Sequence, residues 1–248
     1  MQAGEDADEG QPVAFGHPVA EIPGHAVTVF PYLDGAAADF GDGLSGPDRH
    51  ALIGILARLH DATPLARRMA PPRSLQPASR PGLAAALGEL GRPWSGGPYS
   101  EPARRLVARQ APRLVEALAR FDELAREATR SGPAVITHGE PHPGNLVRGA
   151  GRLFLIDWDT VGLALPERDL WMVVGGGDGD GTRDAGQYTR RYTELTGRRV
   201  SGAAMDLYRL RWSLDDIALF VRDFRNPHEQ DEDTELAWAG LAEEMGKI

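Results

Sequence analysis

Four residues, His138, Glu140, Asn145 and Asp157, have the types and spacing that best suit chemistry in this sequence. Glu140 and Asn145 lie in Thr137-His138-Gly139-Glu140-Pro141-His142-Pro143-Gly144-Asn145, and Asp157 follows in Leu155-Ile156-Asp157-Trp158-Asp159. Two carboxylates and an amide offer oxygen donors to a hard cation such as Mg²⁺, which keeps several waters for a phosphate to share. Two other readings use the same stretch. His138, Glu140 and His142 at alternate positions have the types of a transition-metal site in a hydrolase, and the whole cluster can be read as a polar turn capping two core strands. The run Gly175-Gly176-Gly177 follows a helical segment and lacks a Lys-Ser/Thr ending, so it reads as a helix exit rather than a phosphate cradle.

Elements must bring these side chains together. Ala134 to Thr137 and Leu153 to Ile156 are short aliphatic runs bounded by Gly, Pro and charge, which predicts two buried strands, each delivering polar residues at its C-terminal end. Upstream, His25 to Phe30 reads as a strand running into the rigid connector Pro31 to Gly35. Ser45-Gly46-Pro47-Asp48 has the form of a helix start, and Leu52, Ile55, Leu56 and Leu59 recur at helical spacing, predicting a helix from about Pro47 to Ala62. Pro64 to Pro102 is rich in Pro, Gly, Arg and Ser, with a short helical stretch near Gly82 to Leu90. Pro102 to Arg130 carries an apolar helical stripe that Pro112 is expected to kink or break. Further helices are expected from Pro166, from Asp184 to Thr196, from Ser201 to Phe224 and from Glu232 to Met245. The sum is a mostly helical α+β lobe in which one small β-hairpin carries the polar cluster. Trp158, Trp171 and Trp212 read as core residues.

Composition narrows the function classes. With 248 residues and 42% hydrophobic content the chain can bury a full core. A net charge of -9 argues against nucleic acid as partner and is compatible with a cationic small-molecule substrate. There is no cysteine, so thiolate metal sites are excluded. The first ten residues are polar and acidic, without an apolar signal core, and no run reaches transmembrane length, so a cytoplasmic protein without membrane partners is expected. Residues 1–12 have nothing to bury and are expected to be a disordered acidic tail.

The pattern His138-Gly-Glu140-x-x-x-x-Asn145 followed by a strand ending in Asp157 resembles the catalytic loop and metal-binding segment of the protein-kinase-like fold. His142-Pro143-Gly144-Asn145-Leu146 and Ile156-Asp157-Trp158 are similar to the aminoglycoside phosphotransferase family in particular. Pro166-Glu167-Arg168-Asp169-Leu170-Trp171, Leu207 to Trp212 and Asp215-Asp216-Ile217 resemble its spectinomycin phosphotransferase branch. The resemblance runs from about Val27 to the C-terminus. It implies transfer of the γ-phosphoryl group of ATP, with Mg²⁺, to a hydroxyl of an aminocyclitol or related compound. By the same resemblance Glu140 is the residue that orients the acceptor hydroxyl, and Asn145 and Asp157 are the metal ligands. Phe30, Pro31, Tyr32 and Leu33 form the hinge facing adenine. His138, His142, Asp159 and Asp169 support the loop, and Asp178 and Asp216 face a cationic sugar.

Two departures from the family pattern stand out. Glu140 replaces the usual Asp and adds one methylene of reach. In this fold the glycine-rich loop and the phosphate-binding Lys precede the hinge, and the only lysine here is Lys247. The expected organisation is therefore an N-terminal-lobe remnant with the hinge over residues 13–35 and a phosphotransferase lobe over residues 36–248. The alternative function is a truncated, inactive kinase-like fragment that acts at most as a binding module.

Overall fold

A computed structural model describes residues 20–22, 25–27, 32–174 and 181–248 of the chain. Phe30, Pro31, Asp178, the 1–12 tail and the run Gly175 to Gly177 lie outside the described residues. Strands β1 (Ala20–Ile22) and β2 (His25–Val27) pair antiparallel. Strand β3 (Ala36–Ala37) pairs with β5 (Leu146–Gly149), which pairs with β6 (Arg152–Leu155). Strands β4 (Val135–Thr137) and β7 (Gly162–Ala164) form a separate antiparallel pair.

The helices are α1 (Gly46–Asp61), α2 (Thr63–Ala66), α3 (Arg80–Gly88), α4 (Ser100–Ala128), α5 (Glu167–Val174), α6 (Gly181–Thr196), α7 (Gly202–Arg225) and α8 (Glu232–Lys247). Local chemistry sets their starts. The Ser45 side chain accepts from the Asp48 N–H at the head of α1, and Ser201 accepts from the Ala204 N–H at the head of α7. At α8, Asp231 and Thr234 form a reciprocal capping box.

Of the two outcomes expected at Pro112, a break does not occur: helix α4 runs continuously through it. Pro112 and Ala108, whose carbonyl loses its intrahelical partner, both lie on the exposed side, so water takes the place of the missing N–H. The buried side, with Val107, Leu114, Phe121 and Leu124, continues uninterrupted.

Two apolar clusters hold the lobe together. The larger packs α3, α4, α7 and α8 around residues such as Phe121, Leu214, Ile217 and Phe224. The smaller packs α1, α5 and α6 against the β5–β6 hairpin through Leu52, Leu56, Leu146, Leu170 and Tyr192. Trp171 packs against both.

Sequence reading placed the polar cluster on one hairpin; the structure places it between two sheets. Strand β4 leads into the loop 138–145 from the β4–β7 pair, and the hairpin that follows joins β3 instead. Its two-residue turn, Ala150-Gly151, has positive φ at both positions (48° and 69°), the twist that tight hairpins favour.

Candidate active site

The loop after β4 is fixed by its backbone. Asp169, fully buried at the start of α5, accepts the His138 N–H at 2.9 Å and the Gly139 N–H at 2.6 Å. Gly139 has φ +109°, a backbone conformation that strains any residue with a Cβ, and a Cβ there would also displace the guanidinium of Arg168. Arg168 in turn donates to Thr137 Oγ1 at 2.9 Å, and that hydroxyl donates to the Gly162 carbonyl on β7. Burial lowers the pKa of Arg168, with the carboxylate of Asp169 working against that shift.

His138 is buried beneath the loop, and burial pulls its pKa below the usual imidazole range. Its Nε2 lies 2.9 Å from the Ile156 carbonyl, which can only accept, so Nε2 carries the proton and Nδ1 accepts the Glu140 N–H at 3.3 Å. With both nitrogens committed, His138 has no lone pair for a metal. The transition-metal reading of His138, Glu140 and His142 fails on that ground. No group of three or more His, Asp or Glu side chains among the described residues is placed to hold a metal ion.

Asn145 ends a short 3₁₀ turn, Pro143–Asn145. Its Nδ2 donates to the Glu140 carbonyl at 2.9 Å and faces His142 Nε2 at 3.2 Å, which uses both amide protons. The amide oxygen is thereby left as the free end. The hairpin then brings Asp157 alongside: Leu146 pairs with Leu155, and the Ile156 N–H donates to the Asn145 carbonyl at 2.9 Å. Asp157 itself is exposed and holds φ +62°, a conformation costly to a residue with a Cβ. An amide oxygen and a carboxylate at one end of a hairpin suit Mg²⁺ by donor chemistry.

Glu140 is half-buried one residue beyond the clamped pair. His142 meets Phe40 edge-on at 4.7 Å between ring centroids, and burial lowers its pKa first, with His138 adding to the shift. Asp159 is exposed. The bond from its turn to the loop comes instead from Thr160, whose hydroxyl donates to the His138 carbonyl at 2.9 Å. Trp158 stands 38% exposed with its ring edge-on to His138, and so is not a core residue. Of the residues expected to form the hinge, Tyr32 is 91% exposed and Leu33 half-buried. Just beyond them a groove of about 240 Å³ is lined by Ala36, Ala37, Pro143, Leu146 and Leu153.

On the other side of the loop a cleft of about 490 Å³ opens between Phe40, His142, Trp171, Trp212, Asp216 and Glu244. Phe40 stacks on Trp212 at 5.9 Å, so Trp212, expected in the core, is a wall of this cleft. Sequence reading missed Phe40 altogether, because the segment 38–45 has no periodic signal; its one cue is an aromatic residue alone in a Gly/Asp stretch. Asp216 has its pKa pushed up to about 6 by burial, and the carboxylates of Glu244 and Asp215 add to the effect.

The model of the phosphotransferase enzyme family matches residues 7–204, most of the chain and the whole of this loop and hairpin. The chain belongs to that family. Among curated relatives it is 28% identical to Protein StrN of Streptomyces griseus over 250 aligned residues, covering 91% of this chain and 66% of StrN. Among solved structures it is similar in fold to a spectinomycin phosphotransferase in complex with ADP and spectinomycin. That match has TM-score 0.65 and 21% identity, over 86% of this chain and 65% of the other. An aminoglycoside phosphotransferase from Alicyclobacillus acidocaldarius follows with TM-score 0.53 and 17% identity, over 87% and 67%. This phosphotransferase-family chain thus spans just under two thirds of the length of StrN and of the spectinomycin enzyme. No helix among its described residues is long and apolar enough to cross a membrane.

Proposed function

We propose that the protein transfers the γ-phosphoryl group of ATP to a hydroxyl of a small, cationic acceptor, an aminocyclitol or aminoglycoside antibiotic or a related compound. The observation that carries this reading is the hairpin register, which sets the free amide oxygen of Asn145 and the carboxylate of Asp157 at one end, beside the loop that presents Glu140. Asn145 and Asp157 would hold Mg²⁺ against the nucleotide phosphates, and the ion supplies neutralisation of the charge that develops in transfer.

Glu140 orients the acceptor. Its carboxylate accepts a hydrogen bond from the attacking hydroxyl. As the acceptor oxygen bonds to the γ-phosphorus, the bond from that phosphorus to the bridging oxygen breaks, its electron pair leaves with ADP, and the hydroxyl proton passes to Glu140 and on to solvent. The extra methylene of Glu relative to Asp makes the loop's exact seat, set by Asp169 and His138, part of that geometry. The groove beyond Tyr32 and Leu33 offers aliphatic walls to the adenine ring, whose hinge would also include Phe30 and Pro31. The aromatic cleft with Asp216 offers a stacked face and negative charge to the acceptor. A retained charge of -9 favours such a cation over an anionic partner. Phosphorylation of an antibiotic inside the cell would make this a resistance enzyme working in the cytoplasm.

The test is Asp157→Asn, assayed with labelled ATP and Mg²⁺ against a panel of acceptors that includes spectinomycin. Transfer by the unmodified protein should fall by more than about a hundredfold in the variant, with its melting curve unchanged. Transfer that survives the change would displace the metal site from Asp157. A protein that labels no acceptor would overturn the reading itself.

A further inference from the structure

We infer that His60 and Tyr192 are positioning residues for the loop that presents Glu140, acting through Asp169. The inference rests on the proposed role of that loop. The chain of contacts starts on α6, where Tyr192 Oη lies 2.7 Å from His60 Nδ1. On α1, His60 Nε2 lies 3.0 Å from Asp169 Oδ2, and Asp169 receives the N–H groups of His138 and Gly139. Tyr192, His60, Asp169 and His138 are each 0% exposed, so no water substitutes for a missing partner.

The directions follow from what each group can do. Asp169 only accepts when ionised, so His60 Nε2 must donate to it and His60 Nδ1 must accept from the Tyr192 hydroxyl. Burial raises the pKa of Tyr192, which keeps that hydroxyl protonated and able to donate. Every polar atom of the chain then has a partner: Asp169 receives three donors, two of them backbone groups of the loop. The same end of α1 also grips the strand that leads into the loop. Thr63 Oγ1 donates to the His60 carbonyl at 2.6 Å and accepts the Ile136 N–H at 2.9 Å. Residues 60–63 thus hold β4 and, through Asp169, the next two residues. Glu140 is tied to the same unit by its own N–H on His138 Nδ1. A displacement of the clamped pair is passed to the Glu140 carboxylate, and about 1 Å of misplacement at a reacting group is worth on the order of a hundredfold in rate.

Three variants and two kinds of readout test this. Tyr192→Phe removes one hydroxyl without changing shape; His60→Gln keeps an N–H for Asp169; His60→Ala removes it. Amide hydrogen exchange at His138 and Gly139, and the ¹⁵N spectrum of His60, require no activity. Tyr192→Phe should speed exchange of the two amides and lower kcat, each by about three- to tenfold, with KM for ATP nearly unchanged and the melting temperature lowered by only about 2–6 °C. His60→Gln should fall between the unmodified protein and His60→Ala, and if His60→Ala does not fold the other two variants decide. Unaltered exchange in Tyr192→Phe and His60→Gln, or a His60 spectrum with the proton on Nδ1, overturns the brace. Faster exchange with unchanged kcat overturns its link to Glu140. If the unmodified protein transfers no phosphate, the proposed function fails, while exchange and the nitrogen spectrum still decide the brace.

Discussion

Replacing Gly139 by alanine should be among the most damaging single-methyl changes in this protein, and the structure says why in two separable parts. The first part is the backbone: at φ +109° any residue with a Cβ is strained, at about 1–3 kcal/mol. The second is the collision, since the new Cβ would lie 2.1 Å from one guanidinium nitrogen of Arg168 and 2.3 Å from its Cζ. Arg168 must then move, breaking its 2.9 Å bond to Thr137 Oγ1, and a hydrogen bond from a charged donor is worth about 1.5–3 kcal/mol. Together Gly139→Ala should cost about 3–5 kcal/mol, against a total stability of about 5–15 kcal/mol for a domain. Urea unfolding followed by circular dichroism, on Gly139→Ala, Arg168→Ala and the double variant, separates the parts. With the guanidinium gone the alanine no longer collides, and the bond that each single change loses is lost only once, so the double variant should be more stable than the sum of the two singles predicts by about 1.5–3 kcal/mol, while the backbone part persists. A Gly139→Ala protein within about 1 kcal/mol of the original, or strict additivity in the cycle, would refute this account of the loop.

Two further perturbations probe the surroundings. Asp216 has its carboxyl raised to about 6 by burial and by Glu244 and Asp215, so the folded state holds its proton more tightly than the unfolded chain and loses stability as pH rises from about 4 to about 6. Asp216→Asn should remove that loss and raise stability at pH 7 by about 1–2 kcal/mol, with little effect at pH 4, as read from melting curves across that range. Pro112→Ala restores an N–H on the exposed side of α4 and should stabilise by about 1–3 kcal/mol, seen as a higher melting temperature; a lower one would mean the proline sets a bend that the packing needs.

How much of this was legible in the residues depended on how local the determinants were. The starts of α1, α7 and α8 follow from Ser45, Ser201 and Asp231, whose side chains act within one turn, and each is visible in the sequence. The donor types of Glu140, Asn145 and Asp157 were likewise plain from their spacing. Whether Pro112 breaks the helix was not legible because sequence gives the defect but not which side of the helix faces water. The pairing of β4 with β7 rather than with β6 was hidden because three-residue strands carry too little pattern to choose a partner. The His60–Tyr192–Asp169 chain joins positions 109 and 132 residues apart, and nothing in a single sequence links such residues before the helices are packed. Thr160 took the place given to Asp159 because a one-residue shift in a turn reverses which side chain faces inward.

Helix α7 passes through all of these surroundings as a single rod of 24 residues. Its head accepts anchorage from Glu167, which takes the Ser201 N–H at 2.7 Å; its first turn sends Met205 into the smaller core; its middle sets Trp212 and Asp216 on the cleft; and Leu207, Leu214, Ile217 and Phe224, spread along its length, fill the larger core. The wall of this cleft is therefore not a detachable loop. If this cleft takes the acceptor as proposed, a lineage altering its acceptor would do so by exchanging single side chains at positions such as 209, 212 and 216, because an insertion in this helix would turn the cleft and both cores out of register at once.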